Sequence, residues 1–206
     1  MFSPLLRVLA ACSVALTLAA CGAEPVWAPD EQVAAARYVA EGPKSITLFT
    51  VVNNRSGSGA HSGLLINASE RIMFDPAGTW HHPRIPERND VHYGITDKMV
   101  LFYIDYHARE TFRVQEQTLI VSPEVAEMVA QRAKAYGAVP KAQCANSVSN
   151  ILRGVPGFES IPATYFPNKL HDAFAQLPGV TEREIRDEDA DNNHGVLIVQ
   201  ASEAPK

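Results

Sequence analysis

The chain has 206 residues, a net charge of −5, 46% hydrophobic residues and three cysteines. That length supports one domain with a substantial core. The absence of any basic run argues against nucleic acid as a partner, because phosphates demand clustered Lys and Arg. Repeats and low-complexity tracts are also absent.

At the start, Arg7 precedes an apolar run from Val8 to Ala20 that only Ser13 and Thr17 interrupt. A membrane span wants roughly 20 apolar residues, whereas the h-region of a signal peptide typically has about 7–15. The run ends in Leu18-Ala19-Ala20-Cys21, which resembles a bacterial lipobox. The resemblance implies a signal peptide over 1–20 and Cys21 as the lipidated first residue of the mature protein. The other reading is ordinary cleavage near Ala20 and release. In the lipoprotein pattern an aspartate after the modified cysteine signals inner-membrane retention. Gly22 stands there instead, so the expected location is the outer membrane, lipid-anchored and facing the periplasm. Residues 21–42, rich in Pro and Ala, are expected to be a short tether, and 43–206 the domain.

Residues 45–54 are β-branched and apolar and predict a buried strand. After the turn "RSGSGA", residues 61–68 and 70–77 predict a hairpin around Ser69. Residues 78–98 lack periodicity and predict a long loop, a length that is usually functional or disordered. Strands are expected at 99–108 and 111–121. Ser122-Pro123 is a good helix start and Gly137 a stop. A second helix is expected from after Pro140 to Gly154, a third over 167–177, and a closing strand over 194–201. Strands, then helices, then a late strand indicate an α+β domain, an antiparallel sheet packed with helices.

Cys12 falls inside the apolar leader, so lipidation of Cys21 would leave Cys144 a lone thiol in an oxidising compartment. An odd cysteine there is a candidate reactive thiol, although free Cys is also a common buried hydrophobe. Cys144 sits in the first turn of its predicted helix, where unpaired N–H groups and the dipole favour an anion. A thiolate nucleophile needs a base held by a third polar group. His61 opens a strand at the sheet edge, and antiparallel pairing brings Asp75 back level with it. Asp75 also fits position i of a β-turn in "DPAG", a role that can coexist with the first.

A strand opening His-x-Gly-Leu-Leu-Ile, a paired strand ending in a polar residue, and a later helix opening with Cys resemble the circularly permuted NlpC/P60 papain-like folds. The lecithin–retinol acyltransferase-like and YiiX-like groups are examples. The resemblance covers about residues 45–155. It implies a permuted papain-like cysteine-hydrolase fold with Cys144 as nucleophile, His61 as base and Asp75 in the third position, where many relatives carry His, Asn or Gln. Gln143 replaces the common Asn before the cysteine and is a weak candidate for oxyanion contact. The family includes peptidases, amidases, acyltransferases and members of unknown activity, and fold alone does not choose among them. The compartment favours an amide or acyl substrate such as a peptidoglycan peptide. The rival is a non-catalytic binding or structural lipoprotein.

Trp80 and Tyr93 could line a substrate groove or pin the long loop. His81, His82, His92 and His107 could make a metal site, but adjacent histidines generally point apart, so a polar loop explains them and no metal or cofactor is expected. In "DEDADNNHGVLI" (187–198), Asn192 stands where a calcium loop needs Gly, and Ile198 where it needs Glu.

Overall fold

The computed structural model describes residues 22–203. The expected signal peptide and Cys21 therefore lie outside the described residues.

β1 (Ser45–Asn53) is flanked by β2 (Gly59–Asn67) and β6 (Phe112–Ile120), and β2 pairs in turn with β3 (Arg71–Phe74). β4 (Glu87–Arg88) and β5 (Val91–Tyr93) extend the sheet on one side, and β7 (Thr181–Ile185) on the other. The order β4-β5-β3-β2-β1-β6-β7 is antiparallel throughout. Six helices accompany the sheet among the described residues, so the domain is α+β.

Period-two alternation divides the apolar side chains between two faces. Ile46, Leu48, Leu64, Ile66, Ile72 and Phe74 pack on one face against α3 (Pro123–Tyr136), α4 (Cys144–Leu152) and α5 (Pro167–Ala175). Phe49, Val51, Leu65 and Met73 pack on the other against α2 (Asp97–His107) and Trp80. α6 (Asn193–Ser202) lies beyond α2, and its Val196 and Leu197 touch the same core. Helices therefore cover both faces, which explains why β1 is buried from Ile46 to Val52.

Two expected strands are helices. Residues 99–108 fall in α2, where Thr96 caps the start by accepting from the Met99 N–H at 3.4 Å. Met99, Tyr103 and Tyr106 then recur at helical spacing toward the core. Residues 194–201 fall in α6, where Asn192 accepts from the Gly195 N–H at 3.0 Å. In both cases a short continuous apolar run fits either period, and the cap decides. The long loop at 78–98 holds the small β4–β5 hairpin, and β7 adds a strand that the sequence pattern did not announce.

The segment read as a tether packs along β4. Ala28 N–H donates to Glu87 O at 2.9 Å and Asn89 N–H to Val26 O at 3.0 Å. α1 (Asp30–Ala36) follows, and Arg88 bonds Asp30 at 2.5 Å while lying over the Trp27 ring. Among the described residues, no helix is long and apolar enough to cross a membrane.

Candidate active site

β3 pairs with β2 only from Leu64 to Asn67, so the edge of β2 from His61 to Gly63 has no strand beside it. Three elements meet at that gap. β2 supplies His61, the turn leaving β3 supplies Asp75, and the N-terminus of α4 supplies Cys144. The Ser62 backbone N–H beside this gap and the Ala145 N–H at the start of α4 both favour the anionic form of the Cys144 sulfur.

His61 bridges the two faces. Its Nε2 bonds Asp75 Oδ1 at 2.6 Å, and it couples electrostatically to the neighbouring Cys144 thiol. With Nε2 committed to Asp75, Nδ1 is the nitrogen left for sulfur. Asp75 Oδ1 also accepts from the Tyr103 hydroxyl at 2.8 Å. Gly63 makes room for this contact: a Cβ there would lie 2.2 Å from the Tyr103 hydroxyl oxygen. Gly78 does the same beneath the other carboxylate oxygen, 1.8 Å from where its Cβ would be. The glycine of the His-x-Gly motif is thus a packing requirement of the carboxylate and its donor.

Charge settles the protonation states. Burial alone would lower the His61 pKa, but the Asp75 carboxylate and the neighbouring thiolate outweigh it and raise it to about 10. Burial would likewise raise Asp75, yet the imidazolium holds it well below the usual carboxylate range. Burial pushes the Cys144 thiol up, while the His61 hydrogen bond and charge, with the Ser62 and Ala145 N–H groups, bring it below its ordinary value. These shifts all run toward a thiolate–imidazolium pair oriented by a carboxylate, the activated form of a cysteine nucleophile. Tyr103, raised by burial and by Asp75, stays protonated as a donor.

His61 is 15% exposed on its side chain and Cys144 8% exposed, so the pair lies just beneath the surface. The chain enters α4 through Ala142, held at φ 64°, a left-handed conformation that non-glycine residues avoid and that concentrates at functional sites. Gln143 occupies the position before the helix and makes no side-chain cap hydrogen bond.

His107 completes the cluster. Its ring stacks on His61 at 5.6 Å, and Nδ1 donates to Tyr103 O at 2.8 Å. Burial lowers its pKa to about 4, so it is neutral. His61 and His107 open onto a cleft of about 360 Å³ that Thr79, Tyr106 and Asn193 also line. The sequence does not single out Tyr103 or Gly78, offers His107 only as a metal-ligand candidate, and offers Gly63 only as part of the His-x-Gly motif. The i,i+4 spacing of Tyr103 and His107 was the available signal, and reading 99–108 as a strand concealed it.

Trp80 is 2% exposed, wedged between Tyr103 and His92, and donates to Gln200 at 3.3 Å. Tyr93 is 6% exposed within β5. Both pin the long loop, and neither presents its side chain to solvent as an open groove would require. His81 is exposed, His82 bonds Gln200 O, His92 is buried under Trp80 and His107 ends α2, so the four histidines do not converge. Besides Asp105, Asp187 and Asp189, the side chains that gather at ligand distances among the described residues are His61, Asp75 and His107. Their 2.6 Å contact is a hydrogen bond, shorter than the roughly 3.3 Å ligand separation that bonds of about 2.05 Å in a tetrahedral zinc site impose. In the 187–198 segment, Asp189 pairs with Arg109 and Asp191 accepts from Thr111, so protein donors satisfy these carboxylates.

No protein-family model, curated protein or solved structure matches this chain.

Proposed function

We propose that this protein is a thiol hydrolase or acyltransferase of the circularly permuted NlpC/P60 papain-like type. It acts through Cys144 and His61 on an amide or acyl group. The observation that carries the reading is the convergence of Cys144, His61 and Asp75 from three separate elements, with His61 bonded to Asp75 and electrostatically coupled to Cys144. The order along the chain, base strand before nucleophile helix, is that of the permuted groups. The motif ending in Cys21 supports a lipid anchor, and Gly22 after it supports the bacterial outer membrane, facing the periplasm, where peptidoglycan peptides are the nearest abundant amides.

In this mechanism the Cys144 thiolate attacks the acyl carbon and forms a thioester. His61 gives its proton to the departing amine or alcohol. Backbone N–H groups at the start of α4 stabilise the oxyanion, an effect worth roughly 3–4 kcal/mol per donor elsewhere. Gln143, beside the nucleophile, is a further donor within the same turn. Water or another acceptor, activated by the now neutral His61, then releases the acyl group. Asp75 holds the imidazole orientation and favours its charged form. No cofactor takes part in these steps.

The low exposure of Cys144 favours a second reading, a binding lipoprotein in which the thiol is packing. Incubation with 4-nitrophenyl acetate separates the two. The enzyme reading expects a stoichiometric burst of nitrophenol and an acetyl adduct mapped to Cys144, both lost in His61→Ala. A chain that never acquires the adduct at Cys144 would leave the binding module as the better account.

A further inference from the structure

β4 and β5 are joined by a two-residue turn, Asn89-Asp90, with φ values of 47° and 67°. Two consecutive left-handed residues make the mirror-image hairpin turn, whose second position ordinarily takes glycine. Here it carries an aspartate whose carboxylate leaves the hairpin altogether. Oδ1 accepts from the Ala77 N–H at 3.2 Å, two residues beyond Asp75. Oδ2 accepts from the Val139 N–H at 2.7 Å, in the loop that delivers Cys144. The Asp90 carbonyl accepts from the N–H of Asp75 itself at 2.9 Å. Ala77 and Ala142, on the two segments so joined, are themselves left-handed at φ 55° and 64°.

We propose that Asp90 is the positioning residue of the active site, a carboxylate brace that fixes the Asp75 turn and the Cys144 loop at the separation the relay requires. The inference rests on the Cys144–His61 reading above. The hairpin does not need the aspartate, since glycine suits that φ better. What the side chain adds is the tie between two segments that no strand pairing connects. Val139 is 4% exposed, so its N–H is anchored where water is scarce. Without the tie, nothing in β4 or β5 holds the loop before α4 in register with His61. A thiolate–imidazolium attraction weakens directly with separation.

The test is site-resolved alkylation of Cys144 in the full chain by iodoacetamide from pH 5 to 10, with thermal melting alongside. Wild type, Asp90→Gly, Asp90→Asn and Ser122→Ala are compared. Asp90→Gly relieves the backbone while removing the brace, and is expected to remain folded with alkylation at pH 7 reduced at least tenfold and its midpoint moved upward. Asp90→Asn keeps one oxygen acceptor and should fall between. Ser122→Ala removes a remote helix cap and should lower the melting temperature without moving the midpoint, which separates positioning from stability. A folded Asp90→Gly with the wild-type profile overturns the inference. Should that variant not fold, a wild-type profile in Asp90→Asn overturns it equally. A wild-type midpoint at or above the ordinary thiol value overturns the Cys144–His61 reading and the brace with it. A depressed wild-type midpoint that the Asp90 variants leave unmoved defeats the brace alone.

Discussion

Asp75→Asn is the sharpest probe of the electrostatics. Asparagine matches the carboxylate in shape, and its oxygen can still accept from His61 and Tyr103, so the change removes little but charge. Burial is the largest influence on His61 and lowers its pKa; the carboxylate is the main cause of its rise to about 10, and the Cys144 sulfur adds to it. The rise from 6.5 to about 10 corresponds to about 5 kcal/mol of preference for the imidazolium, at about 1.4 kcal/mol per tenfold. Without that charge, His61 should titrate at or below 6.5, and the thiolate loses the cation that stabilises it. If only a third of the 5 kcal/mol reaches the sulfur, reactivity at pH 7 falls more than about tenfold. Two measurements check this: the His61 ring proton followed by NMR from pH 5 to 11, and the alkylation rate of Cys144 over the same range. Tyr103→Phe is the companion variant, since it deletes a hydrogen bond to Asp75 and leaves the charge in place. It should move the His61 titration far less. An Asp75→Asn protein whose His61 still titrates near 10, or whose alkylation profile superimposes on wild type, would refute the argument.

Gly63→Ala drives a methyl to 2.2 Å from the Tyr103 hydroxyl, which α2 holds fully buried. Overpacking of this kind costs about 1–3 kcal/mol, to be read by chemical denaturation, and wild-type stability would contradict the packing role of the glycine. Cys144→Ala tests pH linkage. His61, raised to about 10, contributes stability that is whole below 6.5 and lost as pH climbs toward 10, while the lowered Cys144 contributes in the opposite sense. Melting temperature should therefore fall more steeply between pH 6.5 and 9.5 in Cys144→Ala than in wild type; parallel curves would argue against the pair.

The chemistry-bearing residues were legible because each sits at a place with its own physical signature. His61 opens a strand after a glycine-rich turn, Asp75 leads a Pro-containing turn, and Cys144 starts a helix. The structure brings all three together, with His61 hydrogen-bonded to Asp75 and coupled to Cys144. The helices α2 and α6 were not legible, because "MVLFYI" and "VLIV" satisfy two periods at once and their caps, Thr96 and Asn192, lie in polar stretches that look like loop. β7 escaped for the converse reason. "TEREI" has no apolar alternation and is almost wholly exposed. It is held instead by cross-strand pairs, Arg183 with Glu116 at 2.7 Å and Arg113 with Glu184 at 2.8 Å. Asp90 could not be found from sequence at all, since a brace is defined only by where the Ala77 and Val139 N–H groups happen to meet.

The charge balance of the cluster bears on how such a site would work. With Cys144 as thiolate, Asp75 and the sulfur would be negative and His61 positive, so the resting group would carry one net negative charge in a largely buried volume. Neutral His107 and Tyr103 add none. That excess is tolerated because the sulfur faces the Ser62 and Ala145 N–H groups at a helix start, where partial positive charge accumulates. Acylation of the sulfur would remove the thiolate charge and release a proton from His61 to the leaving group, leaving Asp75 beside a neutral imidazole. Each turnover would thus alternate which anion the imidazole serves, and Asp75, fixed by Tyr103 and by the Asp90 brace, is the one that never leaves. Cys144 acts in both halves, as nucleophile in the first and as leaving thiolate in the second, and in each the imidazole takes its orientation from Asp75.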